Sequence, residues 1–280
     1  SDPQTGFIGG EGLELDLQAK AELNQLVGII NGCNYPEVKA FNGKSIQIKQ
    51  RLSLLNNAQH ALIKWQAHKT SVSAADFVAS QRLQQYITQL SSARKTANAS
   101  LLITSVGRLT SQKVMLFLQK LANGKAALTQ ILLDLYAHDP HAIMVILGSG
   151  DEHLSNQIKI IAAQHPNCLF LNGYDEALSE DLYQQGDLFL MPSSFEPCGI
   201  SQMLAMKHGQ PCLVHAVGGL KDTVKHQQNG WLFAGTDAAQ QAKHFVEQFN
   251  LCLAYDSETL ASIKLAASEA RFEWARVAQC

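Results

Sequence analysis

The sequence predicts an α/β fold built on a parallel sheet with helices covering both faces. From Leu101 onward, short apolar runs alternate with longer helical patterns, the rhythm of strand, crossover helix and strand. Those runs are apolar throughout, as in Leu188-Phe189-Leu190-Met191, so both sides of each strand are expected to be buried. Glycine turns follow two of the later strands, at Gly199 and at Gly218-Gly219.

Taken in order, residues 1 to about 50 are rich in Gly and Asn, with a helical stretch from Leu15 to Gln25 and an apolar run from Leu26 to Ile30. From Ile46 to Arg94 the chain is rich in Gln, Ala, Leu and Lys and reads as two or three helices, interrupted near Thr70-Ser71. Strands follow at 101–106, 142–147, 168–171, 187–191 and 212–215. Helices are expected at about 114–137, 153–164, 176–185 and 200–208. Asp237–Phe249, Ser257–Glu269 and Phe272 to the end read as closing helices.

Bulk properties narrow the function. With 46% hydrophobic and 16% charged residues, the 280-residue chain has the composition of a soluble protein with an ample core. A net charge of −2 gives no reason to expect nucleic acid or an anionic membrane as partner. No apolar run approaches the roughly 20 residues of a membrane span, and the start, SDPQTGFIGG, has no signal-peptide pattern. Cys33, Cys168, Cys198, Cys212, Cys252 and Cys280 form no CxxC pair and read as free thiols, so a cytoplasmic protein is expected. The histidines do not cluster at metal-ligand spacing and no Asp-x-Asp follows a core strand, so neither a metal nor a cofactor is expected.

The densest chemistry lies between Asp187 and Val224. A buried strand stops at Pro192-Ser193, a single acid, Glu196, sits in a Phe-Glu-Pro-Cys-Gly turn, and a helix begins after Gly199. Strand, turn, carboxylate and helix N-terminus place anion-binding amides beside one acid. Gly199, Ile200 and Ser201 would offer main-chain N–H groups, and Gly218, Gly219 and Leu220 would form a second nest. Arg108 and Lys113 leave the first strand together in a loop, where Arg clamps phosphate oxygens and Lys supplies a point charge.

This stretch resembles the signature of bacterial glycogen synthases and plant starch synthases, retaining glycosyltransferases of the two-domain GT-B type. The matching residues include Pro192, Ser193, Phe195 to Gly199, Gln202, Ala205, Met206, Gly209, Pro211, Gly218 to Leu220 and Asp222 to Val224. Arg108 to Lys113, RLTSQK, is similar to the family's loop after the first strand. Gln4-Thr5, Gly12-Leu13 and Gly28 to Tyr35 look like its domain-junction segment.

The resemblance implies a Rossmann-like C-terminal half of a GT-B enzyme, with residues 1–100 as junction and helical block, and 101–280 as the nucleotide-sugar-binding domain. The opposing N-terminal domain would be missing from the chain. The implied reaction transfers glucose from ADP-glucose to an α-1,4-glucan, releasing ADP. Arg108 and Lys113 would neutralise the diphosphate, Glu196 would hold the glucose hydroxyls, Tyr174 would pack beside the base, and Cys198 would lie near the sugar. Asp222 and Thr223 would cap or fix the glycine turn.

The pattern has departures. Ser194 stands where the family has Arg, Val114 where it has Gly, Val217 where it has Thr, and Glu180 where a His is common. Ser194, Val114 and Val217 are the evidence for an alternative, a binding or regulatory module whose catalysis has lapsed, and the retention of Arg108, Lys113 and Glu196 argues against it. A further alternative is another GT-B transferase using UDP-glucose. Sucrose and trehalose-phosphate synthases carry a second Glu seven residues beyond the first, where this chain has Met203.

Overall fold

The computed structural model describes residues 13–27, 31–33, 35, 43 and 45–274. Most of the junction segment, including Gln4-Thr5 and Gly28 to Ile30, and the chain beyond Trp274 lie outside the described residues.

Six parallel strands form one sheet: β1 (Leu102–Val106), β2 (Ile143–Leu147), β3 (Cys168–Leu171), β4 (Leu188–Met191), β5 (Cys212–His215) and β6 (Gly230–Phe233), in spatial order β3-β2-β1-β4-β5-β6. That order reverses direction between β1 and β4, which pair Ile103 with Leu188 and Thr104 with Phe189. At such a switch point the connections leave toward opposite sides and open a crevice at the strands' C-terminal ends. β2, β3, β4 and β5 are buried at every position, as their unbroken apolar runs require.

Side chains that alternate along the strands feed two cores. Ile103, Met144, Leu190 and Leu213 face one side, against α4 (Ser111–Leu118), α5 (Ala127–His138), α6 (Glu152–Gln164) and α10 (Ala238–Ala254). Leu102, Val145, Phe189 and Val214 face the other, against α2 (Ile48–Ala67), α3 (Ala74–Ser91), α7 (Glu176–Gln185), α8 (Ser201–Lys207), α9 (Gly218–Thr223) and α11 (Ser257–Glu269). Leu54, Leu55, Leu62 and Leu83 of α2 and α3 belong to this second core, so the helical block shares a hydrophobic interior with the sheet.

Several elements differ from the sequence expectation: α9 was not expected, α10 runs to Ala254 instead of Phe249, and Phe272 and Glu273 are not helical. The helix expected at 114–137 is two helices, because Asn123-Gly124-Lys125 makes a turn with Gly124 at φ 78°. β6 was not expected; four residues beginning with Gly carry no period. The leading helix, α1 (Glu14–Glu22), is shorter than Leu15–Gln25, since Asn24 turns at φ 54°.

Candidate functional site

The switch-point crevice gathers the sequence-nominated charges. Arg108 and Lys113 come from the β1–α4 connection, and Ser193 from the end of β4; all three line one narrow pocket with the tips of β1, β2 and β4. Lys113 is not in a loop, as expected, but in the first turn of α4, which starts at Ser111. Its ammonium pairs with the Glu196 carboxylate, and Glu196 is only 8% exposed. Arg108 is exposed and, among the described residues, has no ion pair or side-chain hydrogen bond. The crevice thus holds one neutralised pair and one uncommitted guanidinium.

The Glu196 turn is held from three sides. The Ser194 N–H donates to the Gln112 carbonyl at 2.7 Å and the Ser194 hydroxyl reaches the same oxygen at 3.3 Å, tying the turn to the residue before Lys113. The Gly219 N–H donates to the Glu196 carbonyl at 3.0 Å. From β5, the His215 ring donates through Nδ1 to the Ser193 carbonyl at 3.0 Å. Below the turn, the buried Gln202 amide donates to the Gly199 carbonyl at 2.9 Å and to the Thr223 hydroxyl at 3.2 Å.

The second glycine motif is corrected. Gly218 to Leu220 form the first turn of α9 instead of an open nest. Gly219 donates to Glu196, and the Leu220 N–H donates to the Val217 carbonyl at 3.1 Å. A Cβ at Gly218, already at φ 43°, would collide with the Glu196 carbonyl oxygen, so glycine permits the two segments to touch. Thr223 fixes this turn through the Gly219 carbonyl at 2.9 Å, while Asp222 is exposed and takes no part.

The N–H groups of Gly199, Ile200 and Ser201 open α8 without a described backbone acceptor, Gly199 at φ 75° and Ile200 half-exposed. Tyr174, 65% exposed, lies beyond β3. It is near Tyr183, whose hydroxyl burial pushes up to about 12; a Ser201 hydrogen bond lowers that value and Tyr174 raises it. Cys198 is partly buried, its thiol 3.4 Å from the Gly199 carbonyl. Cys33, from the junction segment, meets Met203 at 3.5 Å, and Cys198 adds to the upward push that burial gives its thiol.

The departures turn out to be scaffold features. Ser194 stitches β4 to α4, and Val114 and Val217 are buried in the two cores. Glu180 accepts from His208 Nε2 and from Lys207 Nζ, both at 2.7 Å, tying α7 to α8. Among the described residues no group of three or more His, Cys, Asp or Glu is placed to hold a metal, and no helix is long and apolar enough to cross a membrane.

The profile of the family described as glycosyl transferases group 1 matches residues 84–250, more than half of the chain. The chain belongs to that family. Its curated relatives include a glycogen synthase from Caldicellulosiruptor bescii, 32% identical over 238 residues, covering 82% of this chain and 42% of the relative. Another, from Halorhodospira halophila, is 38% identical over 184 residues, covering 62% of this chain and 35% of the relative. The chain therefore spans less than half the length of these relatives. The catalytic domain of starch synthase IV from Arabidopsis thaliana, solved with ADP and acarbose, superposes with a TM-score of 0.60 at 24% identity. It covers 97% of this chain and 50% of that one. That likeness shows the fold, the Rossmann-like half of a GT-B glycosyltransferase. His215 and Gln112 brace the turn that carries Glu196, contacts that sequence reasoning missed. Gln112 lies within the RLTSQK segment but acts through its main-chain carbonyl, which sequence does not single out, and only the end-of-strand position of His215 could have drawn attention to it.

Proposed function

We propose that this domain binds the nucleotide-sugar donor of an α-1,4-glucan synthase and contributes half of its active site. One observation carries the reading: Arg108, Lys113 and Glu196 converge at the β1–β4 switch point, from segments distant in sequence. Two cations and one acid suit a donor that has a diphosphate at one end and a sugar at the other.

In this reading Arg108 clamps diphosphate oxygens, and Lys113 leaves Glu196 to join it, because a dianionic phosphate attracts an ammonium more strongly than one carboxylate does. Glu196 is then free to accept hydrogen bonds from the glucose hydroxyls and to stabilise positive charge developing on the sugar. As the sugar–phosphate bond breaks, charge builds on the departing diphosphate, and the two cations bind it more tightly than they bind the ground state. The 4-hydroxyl at the glucan's non-reducing end attacks on the face from which the diphosphate leaves and passes its proton to the departing phosphate oxygen, so configuration is retained. ADP-glucose is the donor. Tyr174 borders the base, the amides of Gly199 to Ser201 supplement the cations, and Cys198 lies beside the sugar. The opposing domain that the family resemblance implies supplies the other wall, so these 280 residues alone bind nucleotide weakly and do not turn over.

Calorimetric titration with ADP, UDP and ADP-glucose tests the reading. ADP binding that vanishes in Arg108→Ala, with a further loss confined to ADP-glucose in Glu196→Ala, supports it. Glucose transfer by the 280-residue chain alone contradicts the division of labour.

A further inference from the structure

His215 is the one histidine buried directly beneath the candidate site. It ends β5, is 2% exposed, and stacks its ring on Phe233 with centroids 5.0 Å apart and planes 12° from parallel. Its Nδ1 lies 3.0 Å from the Ser193 carbonyl oxygen. A carbonyl only accepts, so Nδ1 carries the proton, and that contact defines the tautomer. Ser193 is fully buried, and its hydroxyl stands 3.5 Å from Glu196 Oε2. The next peptide is fixed as well, through the bond from the Ser194 N–H to Gln112.

We infer that His215 is a positioning residue for donor recognition: by holding the Ser193 carbonyl it sets where the Glu196 carboxylate stands. The inference rests on the proposed donor site and deepens it. Glu196 has to release Lys113 and meet sugar hydroxyls without the turn moving, and such recognition tolerates only about half an ångström of play. The Gln112 bond fixes the turn to α4, and Gly219 fixes it to α9. Only His215, of these three, ties it to the sheet itself. The anchor is a side-chain donor, so it can be removed without altering any main-chain atom.

The predicted signature is selective. His215 acts through Glu196 on the sugar, while Arg108 acts on the diphosphate, so its removal weakens the glucose contribution and spares the nucleotide. The experiment measures dissociation constants of the chain for ADP and for ADP-glucose in wild type, His215→Phe and His215→Asn. Phe keeps a ring against Phe233 and removes the donor; the Asn amide restores a donor near the Nδ1 position. We expect His215→Phe to bind ADP within twofold of wild type but to lose about tenfold in the preference for ADP-glucose. His215→Asn should recover most of that preference.

An unchanged preference in His215→Phe, or an equal loss in His215→Asn, overturns the inference. If His215→Phe does not fold, wild type decides: the ¹⁵N spectrum should show Nδ1 protonated and shifted by ADP-glucose but not by ADP. An Nε2-protonated ring, or equal shifts with both ligands, overturns it. Glu196→Gln separates the two levels. If that variant leaves the ADP-glucose preference intact, or if wild type binds neither ligand, the donor-site reading fails and takes this inference with it. If Glu196→Gln abolishes the preference and His215→Phe does not, the inference alone fails.

Discussion

The two ends of the β1–β4 pair each carry two cations and one acid, yet they are chemically opposite. At the C-terminal end stand Arg108, Lys113 and Glu196; at the N-terminal end stand Arg51, Lys264 and Asp187. Asp187 is saturated: Lys264 lies at 2.8 Å, Arg51 at 3.9 Å, and the Leu102 N–H donates to it at 3.0 Å. Arg51 also reaches the Gln185 carbonyl, and its deep burial pulls its pKa down to about 10, with Asp187 opposing that shift. Those charges bind α2 and α11 to the sheet. At the other end Arg108 has no described partner and Lys113 faces a crevice. A charged cluster becomes a candidate binding site through what it leaves uncommitted, and the topology supplies that surplus only where the strand order reverses.

The largest expected effect that separates the two ends is on stability. Asp187→Ala strands a buried guanidinium and should cost about 3 kcal/mol, read as a lower urea midpoint, with nucleotide affinity per folded molecule unchanged. Comparable destabilisation by Arg108→Ala would erase the distinction. The mirror experiment is Arg108→Ala itself: stability within about 0.5 kcal/mol of wild type, and ADP affinity down by roughly tenfold or more.

Next in size, Gly218→Ala forces a Cβ against the Glu196 carbonyl at a left-handed φ. About 2 kcal/mol of stability should be lost together with the ADP-glucose preference, since the turn has to move. Wild-type preference in that variant would mean the α9 contact does not position Glu196.

The smallest effect concerns Glu180, outside both clusters. Its hydrogen bond to His208, and after that the one to Lys207, hold its carboxyl down at about 2 from an ordinary 4.5, against burial that raises it. A depressed carboxylate pKa stabilises the fold above the unfolded value, and the contribution fades as pH falls from about 4.5 toward 2. Glu180 is half-exposed, so solvent screening keeps the contribution under about 1 kcal/mol. Acid titration of Glu180→Gln should show a shallower fall in stability over that window; an identical profile would remove the clamp.

How much could be read beforehand follows from where the physics is local. β3 and β5 were legible to the residue because uninterrupted apolar runs meet turn residues at both ends. β6 was not, since Gly-Trp-Leu-Phe takes its strand form from pairing with β5, a long-range fact. The break between α4 and α5 was written in Asn123-Gly124 but hidden among good helix formers. Glu196, Arg108 and Lys113 stood out because each follows a strand within a dense motif. Their pairing did not, and neither did the use of Gly219 as a brace, because both depend on segments meeting across the switch point. His215 was invisible for the same reason: its partner, Ser193, lies 22 residues away, just past the end of the neighbouring strand.

The most direct test of the account is a crystal structure of this chain with ADP. The account predicts the diphosphate at the C-terminal ends of β1 and β4, within hydrogen-bond reach of both Arg108 and Lys113, with Lys113 no longer paired to Glu196. The contradicting result is nucleotide bound elsewhere, for instance in the cavity of about 400 Å³ beside Arg51 and Tyr86 at the opposite end of the sheet, or ADP bound in the crevice while Lys113 keeps its bond to Glu196.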